Sequence, residues 1–286
     1  MYNQRLNDYE RSIQIMSAFG VETLLQQGVG RFNEDTVLVE DNLFGVFDGA
    51  SSLDGRLCQG KSGAWWAAQL ARSEFAGNDS TLISLAQRAN QRLKKTMEQH
   101  GVKTDDELQC WSTSAAVFRI KDDFLEWVQT GDCLIVGIDI DNNTHLLTPY
   151  TNHDAETLKQ MQLAPGETHS EALQRVRAQI ENVRMQMNRE YGVLNGDPRA
   201  ENFFRHGSMK CSDLKQILAF SDGLFPPTRA DVTPDFDEIS KRYMHSGLNN
   251  LADWVREQER NDSDCREFPR FKLHDDISAV AVSLHG

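Results

Sequence analysis

The sequence predicts an α+β fold in which one sheet is stacked on another and helices lie outside. Strand-like runs come in pairs joined by short links, at 36–48 and at 113–130, so they close as antiparallel hairpins rather than as strand–helix–strand crossovers. The helix-like runs are grouped between these strand groups instead of alternating with them. No internal repeat, low-complexity tract or Pro/Ser linker divides the 286 residues, so one domain over 1–286 is expected.

Taken in order, the first strand-like run covers 12–19, and 36–40 and 43–48 form the first hairpin. "GKSGAWWAAQLARSEF" (60–75) and "DSTLISLAQRANQRLKKTMEQHG" (79–101) read as helices. The second opens on a capping residue type and closes on glycine. Strands follow at 113–120, 124–130, 133–140 and 144–148. The next stretch, 149–200, is polar and mostly helical. It includes "SEALQRVRAQIENVRMQMNREYG" (170–192), with apolar residues at helical spacing, and is expected to be a lid or insertion. A strand at 215–221, further helices and a last strand at 277–284 complete the chain. Trp65-Trp66 and the Arg-rich face of 170–191 are expected to be core and solvated helix surface.

Composition narrows the function classes. A formal net charge of -13 argues against a nucleic-acid or acidic-membrane surface. No apolar run approaches the roughly 20 residues needed to cross a bilayer. The polar N-terminal stretch does not read as a secretory signal. Cys58, Cys110, Cys133, Cys211 and Cys265 are odd in number and show no CxxC spacing, which fits a reducing compartment and no thiolate metal site. A cytoplasmic protein is expected.

The chemistry is carried by acidic residues at strand ends. "LFGVFD" ends on Asp48, "FLEWVQTGD" on Asp132 and "QILAFSDG" on Asp222, while Asp275 and Asp276 directly precede the last strand. "RFNEDTVLVE" puts Glu34 and Asp35 before another. One Asp-Gly is a turn. Several carboxylates at the polar ends of buried strands suggest a single acidic site. Two of them about 4 Å apart would repel by roughly 4 kcal/mol at an effective dielectric of 20, so such a site must take up protons or cations. Oxygen ligands without Cys or His suit Mg²⁺ or Mn²⁺. Gly49 would let the backbone approach closely enough for a carbonyl to serve as a ligand.

"RFNED", "VFDGASS", "TGDC", "LAFSDGLF" and "DDISAVAVSL", in this order, resemble the motifs of the metal-dependent Ser/Thr protein phosphatases (type 2C), in the manner of a bacterial single-domain member. The likeness spans about residues 12 to 285. It implies two stacked antiparallel sheets flanked by helices on both faces, with two Mg²⁺ or Mn²⁺ ions between the sheets and a weaker third. By position, Asp48 matches the metal-bridging carboxylate, Gly49 the carbonyl ligand, Asp222 and Asp275 terminal ligands, and Asp132 a ligand of the third ion. Glu34 and Asp35 match an acidic pair acting through bound waters, and Arg31 matches the phosphate-binding arginine. Asp276 is either a ligand or a strand-start residue outside the metal shell. The chain departs from the pattern in the spacing of Arg31, in Ala50-Ser51-Ser52 where many members carry a histidine, and in Gly131-Asp132-Cys133-Leu134. Thr151-Asn152-His153-Asp154 also reverses the family's final pair.

The implied reaction is hydrolysis of phosphoserine or phosphothreonine in a protein substrate by a metal-bridging hydroxide, without a phosphoenzyme. Water, ahead of His153, protonates the leaving group. Two alternatives stand beside it: a pseudophosphatase acting as a binding or regulatory module, and a phosphatase for a non-protein phosphoester.

Overall fold

The computed structural model describes residues 19–284 apart from Asp54 and Asn78. The run expected to be a strand at 12–19 lies outside these residues except for Phe19. Along the chain come β1 (Gly20–Gln26), β2 (Thr36–Glu40), β3 (Leu43–Gly49), the two-residue pair β4 (Leu57–Cys58) and β5 (Lys61–Ser62), α1 (Gly63–Phe75) and α2 (Leu82–Gln99). Next are β6 (Thr113–Lys121), β7 (Phe124–Thr130), β8 (Leu134–Asp139), β9 (Thr144–Leu146), and the short helices α3 (Ala155–Gln160), α4 (His169–Arg175) and α5 (Arg177–Arg184). β10 (Arg205–Lys210), β11 (Leu214–Phe220), α6 (Phe236–Asn261) and β12 (Ile277–Ser283) complete the order.

The strands form two five-stranded antiparallel sheets, ordered β1-β12-β11-β8-β9 and β10-β7-β6-β3-β2, as the α+β reading expects. Three apolar layers result. Between the sheets lie Phe44, Val46, Ala116, Phe118, Ile135, Ile217, Ala219, Val280 and Val282. Outside the second sheet, Leu43, Phe47, Ala115 and Val117 pack under α1 and α2. Outside the first, Val136, Leu218, Phe220 and Ala279 pack under α6. Each fully buried Leu, Val or Phe contributes roughly 1.5–3 kcal/mol, so the sandwich rather than any loop fixes the strand ends.

The period of two along β3 aims the site. Phe44 and Val46 face the other sheet while Leu43 and Phe47 face the helices, so Asp48 continues the inward row. Its pairing with Ser114 on β6 holds that register. Ser278 continues the inward row of Val280 and Val282 on β12 in the same way.

Differences from the sequence reading have local causes. β1 and β10 occupy sheet edges and are mostly exposed, so neither carries the apolar alternation that marks a strand. The helical pattern at 170–192 breaks into α4 and α5 at Val176, with Thr168 and Glu171 forming a capping box at the start of α4. α2 is capped by the Thr81 hydroxyl, which accepts from the Ser84 N–H, so the helix starts later than expected. α6 is two helical stretches meeting at Gly247, and the Glu22 carboxylate of β1 accepts the Leu248 N–H at 3.1 Å.

Candidate metal centre

One cleft at the end of the sandwich is lined by Asp48, Gly49, Asp132, Asp222 and Asp275, with Ser51, His153, Arg184 and Lys272 at its sides. Asp132, Asp222, Asp275, His153 and Lys272 also line an adjoining lobe beside Tyr150 and Phe225. Carboxylates from β3, the β7–β8 turn, the end of β11 and the start of β12 therefore meet in one place.

Each is held by backbone geometry. The Thr113 hydroxyl donates to the Asp48 carbonyl at 2.8 Å, fixing the end of β3. A Cβ on Gly49 would stand 2.5 Å from the Ala64 carbonyl oxygen and 2.7 Å from that of Glu34. One on Gly223 would stand 1.9 Å from the Asp276 carbonyl oxygen. Both Asp-Gly glycines thus admit a crossing backbone segment, a packing reason that applies whether or not the Gly49 carbonyl binds a cation.

The electrostatics of these clustered carboxylates favour the uptake of protons or cations. Burial, then the charges of Asp35, Asp132 and Asp275, push the Asp48 carboxyl well above the usual carboxylate range. Burial, then Asp48, Asp132 and Asp275, do the same to Asp222. The two side chains hydrogen-bond each other, which requires a proton between them. Dense hard-oxygen donors that must share protons fit Mg²⁺ or Mn²⁺, with Asp48, Asp132, Asp222, Asp275 and the Gly49 carbonyl as the available ligands. The Cys133 thiol lies within 4.8 Å of carboxylate oxygens of Asp48 and Asp132. Burial and those carboxylates raise its pKa well above the ordinary value, and its soft sulfur suits Mg²⁺ or Mn²⁺ less well than the surrounding oxygens do.

The remaining predicted residues stand further out. Asp35 is buried behind the cleft, accepting from the Ser278 hydroxyl at 2.7 Å, and burial raises its pKa to about 8. Glu34 accepts a hydrogen bond from the Ser51 hydroxyl. Arg31 is exposed, lies 5.2 Å from the Phe32 ring centroid, and lines a shallow neighbouring pocket with Glu34, Ser51 and Ser52. It does not line the acidic cleft, and the two pockets share only Ser51 and Ser52. Both oxygens of Asp276 accept backbone N–H groups, from Gly28 at 2.7 Å and Glu34 at 2.8 Å, and so tie the 28–34 loop to the start of β12. His153 stacks on Tyr191 with centroids 3.9 Å apart, its Nε2 3.3 Å from Asp154.

Sequence reasoning missed three groups. Lys272 places its ammonium 2.6 Å from Asp275 Oδ1. Arg184 of α5 donates to the Ser51 carbonyl at 3.0 Å. Arg256 and Glu259, both buried, pair at 2.8 Å, and Arg256 also donates to the Asp275 carbonyl. Only the carboxylate excess hinted at them, since such a site needs nearby cations.

A family model, protein phosphatase 2C, matches residues 27–256, a span that includes Asp48, Asp132 and Asp222 but stops short of Asp275. No curated protein matches the chain by sequence. The fold is similar to that of the Mycobacterium tuberculosis serine/threonine phosphatase PstP/Ppp, at 15% identity and TM-score 0.60 over 94% of this chain and 99% of that one. It is also similar to Stp1 from Staphylococcus aureus, at 14% identity and TM-score 0.59 over 94% and 96% of the two chains. A third similar structure is the PstP catalytic domain in complex with two manganese ions, at 14% identity and TM-score 0.54 over 94% and 99%.

Proposed function

Because the chain belongs to the protein phosphatase 2C family, we propose that it hydrolyses phosphoserine and phosphothreonine in protein substrates, with two or three Mg²⁺ or Mn²⁺ ions as cofactors. The observation that carries this reading is the meeting of Asp48, Asp132, Asp222 and Asp275, drawn from both sheets, in one cleft. The manganese ions of the PstP catalytic domain, a protein of the same fold, support the cofactor assignment.

Asp48, Gly49 through its carbonyl, Asp222 and Asp275 would hold two ions, and Asp132 would help hold a third. When bound, these ions lower the pKa of an attacking water and polarise the phosphoryl oxygens. The protein's own groups do the rest. The strand ends fix the carboxylates, so no reorganisation accompanies charge development. Glu34, tethered by Ser51 in the shallow pocket, and Asp35, tethered by Ser278 behind the cleft, would act on the ions through intervening water. Arg31 meets phosphate oxygens from the rim where the shallow pocket opens at Ser51 and Ser52. Solvent water protonates the leaving alkoxide, and His153 stays stacked on Tyr191.

The 149–200 segment acts as a lid within one catalytic unit. Its Leu173, Ile180, Val183, Arg184, Met187 and Tyr191 line the cleft, and Arg177 and Arg184 tie it to the carbonyls of Leu53 and Ser51. Among the described residues no helix is long and apolar enough to cross a membrane.

Hydrolysis of an aryl phosphate and a phosphothreonine peptide, each with Mn²⁺ and with EDTA, tests the reading. Turnover of both that depends on Mn²⁺ is expected. A protein that binds Mn²⁺ yet hydrolyses neither would be a binding module on this fold, and the enzymatic reading would fall.

A further inference from the structure

We propose that Lys272, in the loop between α6 and β12, is a phosphate-binding residue of this site, a proposal that rests on the phosphatase reading. Its ammonium lies 2.6 Å from Asp275 Oδ1, and the residue lines both lobes of the cleft.

The other cations lining these lobes are committed elsewhere. Arg184 donates to the Ser51 carbonyl at 3.0 Å. Arg270 pairs with Asp262 at 2.9 Å and donates to the carbonyls of Glu259 and Asp262. Those bonds, with Arg256 on the Asp275 carbonyl, clamp the loop backbone to the end of α6. Lys272, by contrast, has one ion-pair partner among the described residues, and that partner is a candidate metal ligand.

Charge balance gives this lysine its role. Two divalent cations held by Asp48, Asp222 and Asp275 would leave one net positive charge over those three carboxylates, which compensates a phosphate monoester dianion only in part. A cation held by Asp275 would share that carboxylate's charge and leave the ammonium available to a second anion in the cleft. A lysine suits the exchange, because its three donors sit on a flexible stem and can pass from one anion to another without moving the backbone. Arg31, out on the rim, cannot fill this place from its observed position.

The test is calorimetric titration of inorganic phosphate into the Mn²⁺-loaded protein, which needs no turnover. Lys272→Met should weaken phosphate binding by roughly tenfold or more, the scale of one charge-assisted hydrogen bond. Its Mn²⁺ affinity, measured the same way, should not fall, and Lys272→Arg should restore most of the phosphate affinity. Unchanged phosphate binding in Lys272→Met would overturn the proposal. So would joint loss of phosphate and Mn²⁺ binding, which would make Lys272 a prop for Asp275, or a wild-type protein that binds Mn²⁺ but no phosphate. A wild-type protein that binds phosphate through Lys272 but hydrolyses no ester would leave this proposal standing and sink the phosphatase reading alone.

Discussion

The floor and the rim of the cleft are built by different means. On the floor, Asp48 and Asp222 project from strand ends whose register is set by ladders of backbone pairs and by core layers on both sides. On the rim, the 149–200 segment meets the 50–53 loop through Arg177 on the Leu53 carbonyl at 3.1 Å and Arg184 on the Ser51 carbonyl at 3.0 Å. Bonds from partly exposed arginines contribute about 1 kcal/mol or less, whereas the floor cannot shift without opening the sandwich. The floor is suited to holding chemistry in place, and the rim to admitting and sorting substrates.

The severest way to break this contrast is Asp48→Asn. If Asp48 bridges cations, metal binding and hydrolysis should collapse together, because one charge serves both ions. In EDTA the same change relieves carboxylate repulsion, so the variant should unfold at no lower a urea concentration than wild type. Mn²⁺ at ~100 times its dissociation constant should stabilise wild type by about 2.7 kcal/mol per site, and the variant far less. A turn aspartate would show the reverse, with modest destabilisation at every metal concentration and activity kept.

The floor should also govern how stability responds to pH. In the metal-free protein Asp35, Asp48 and Asp222 bind protons more tightly folded than unfolded, with Asp35 at about 8. Stability in EDTA should therefore be greatest at low pH and fall as pH rises from about 4 through about 8, since the unfolded chain releases these protons first. Mn²⁺ favours the ionised carboxylates and should flatten that slope. Urea midpoints at pH 5, 6.5 and 8, with and without Mn²⁺, measure it. A slope in EDTA that rises with pH would mean the carboxylates are not packed together as described.

The same contrast explains what the sequence made legible. An apolar run that gives way to a carboxylate, as at Phe47-Asp48 or at Phe220-Ser221-Asp222, announces both a buried strand and a polar end, so the floor could be read residue by residue. Lys272 could not, because its place beside Asp275 depends on how Arg270 and Arg256 clamp a loop to α6. β1 and β10 escaped notice because edge strands need no apolar alternation. Arg31 was legible as a motif residue, but motif order says nothing of whether an exposed side chain reaches the cleft.

Hydrogen exchange sharpens the comparison more gently. Amides of α4 and α5 should exchange orders of magnitude faster than those of β3 and β11, whose strands have paired neighbours on both sides. Isolated helices of their length are marginal in water, so rim contacts must sustain them. Equal protection in all four elements would remove the lid from the account and leave 149–200 as part of the rigid frame.

The smallest expected effect belongs to Arg31. It stands over Phe32 in the shallow pocket, which shares Ser51 and Ser52 with the acidic cleft. An exposed guanidinium that reaches phosphate from there should assist capture more than the reacting atoms. Arg31→Ala should therefore raise KM for a phosphothreonine peptide a few-fold, leave kcat within about twofold, and leave Mn²⁺ affinity untouched. The KM effect should shrink as salt is raised, because the charge acts through solvent. A fall in kcat of a hundredfold would place Arg31 on the reacting phosphate and erase the line drawn between floor and rim. No change in either constant would leave the phosphate to the floor alone, with Lys272 as its counter-charge.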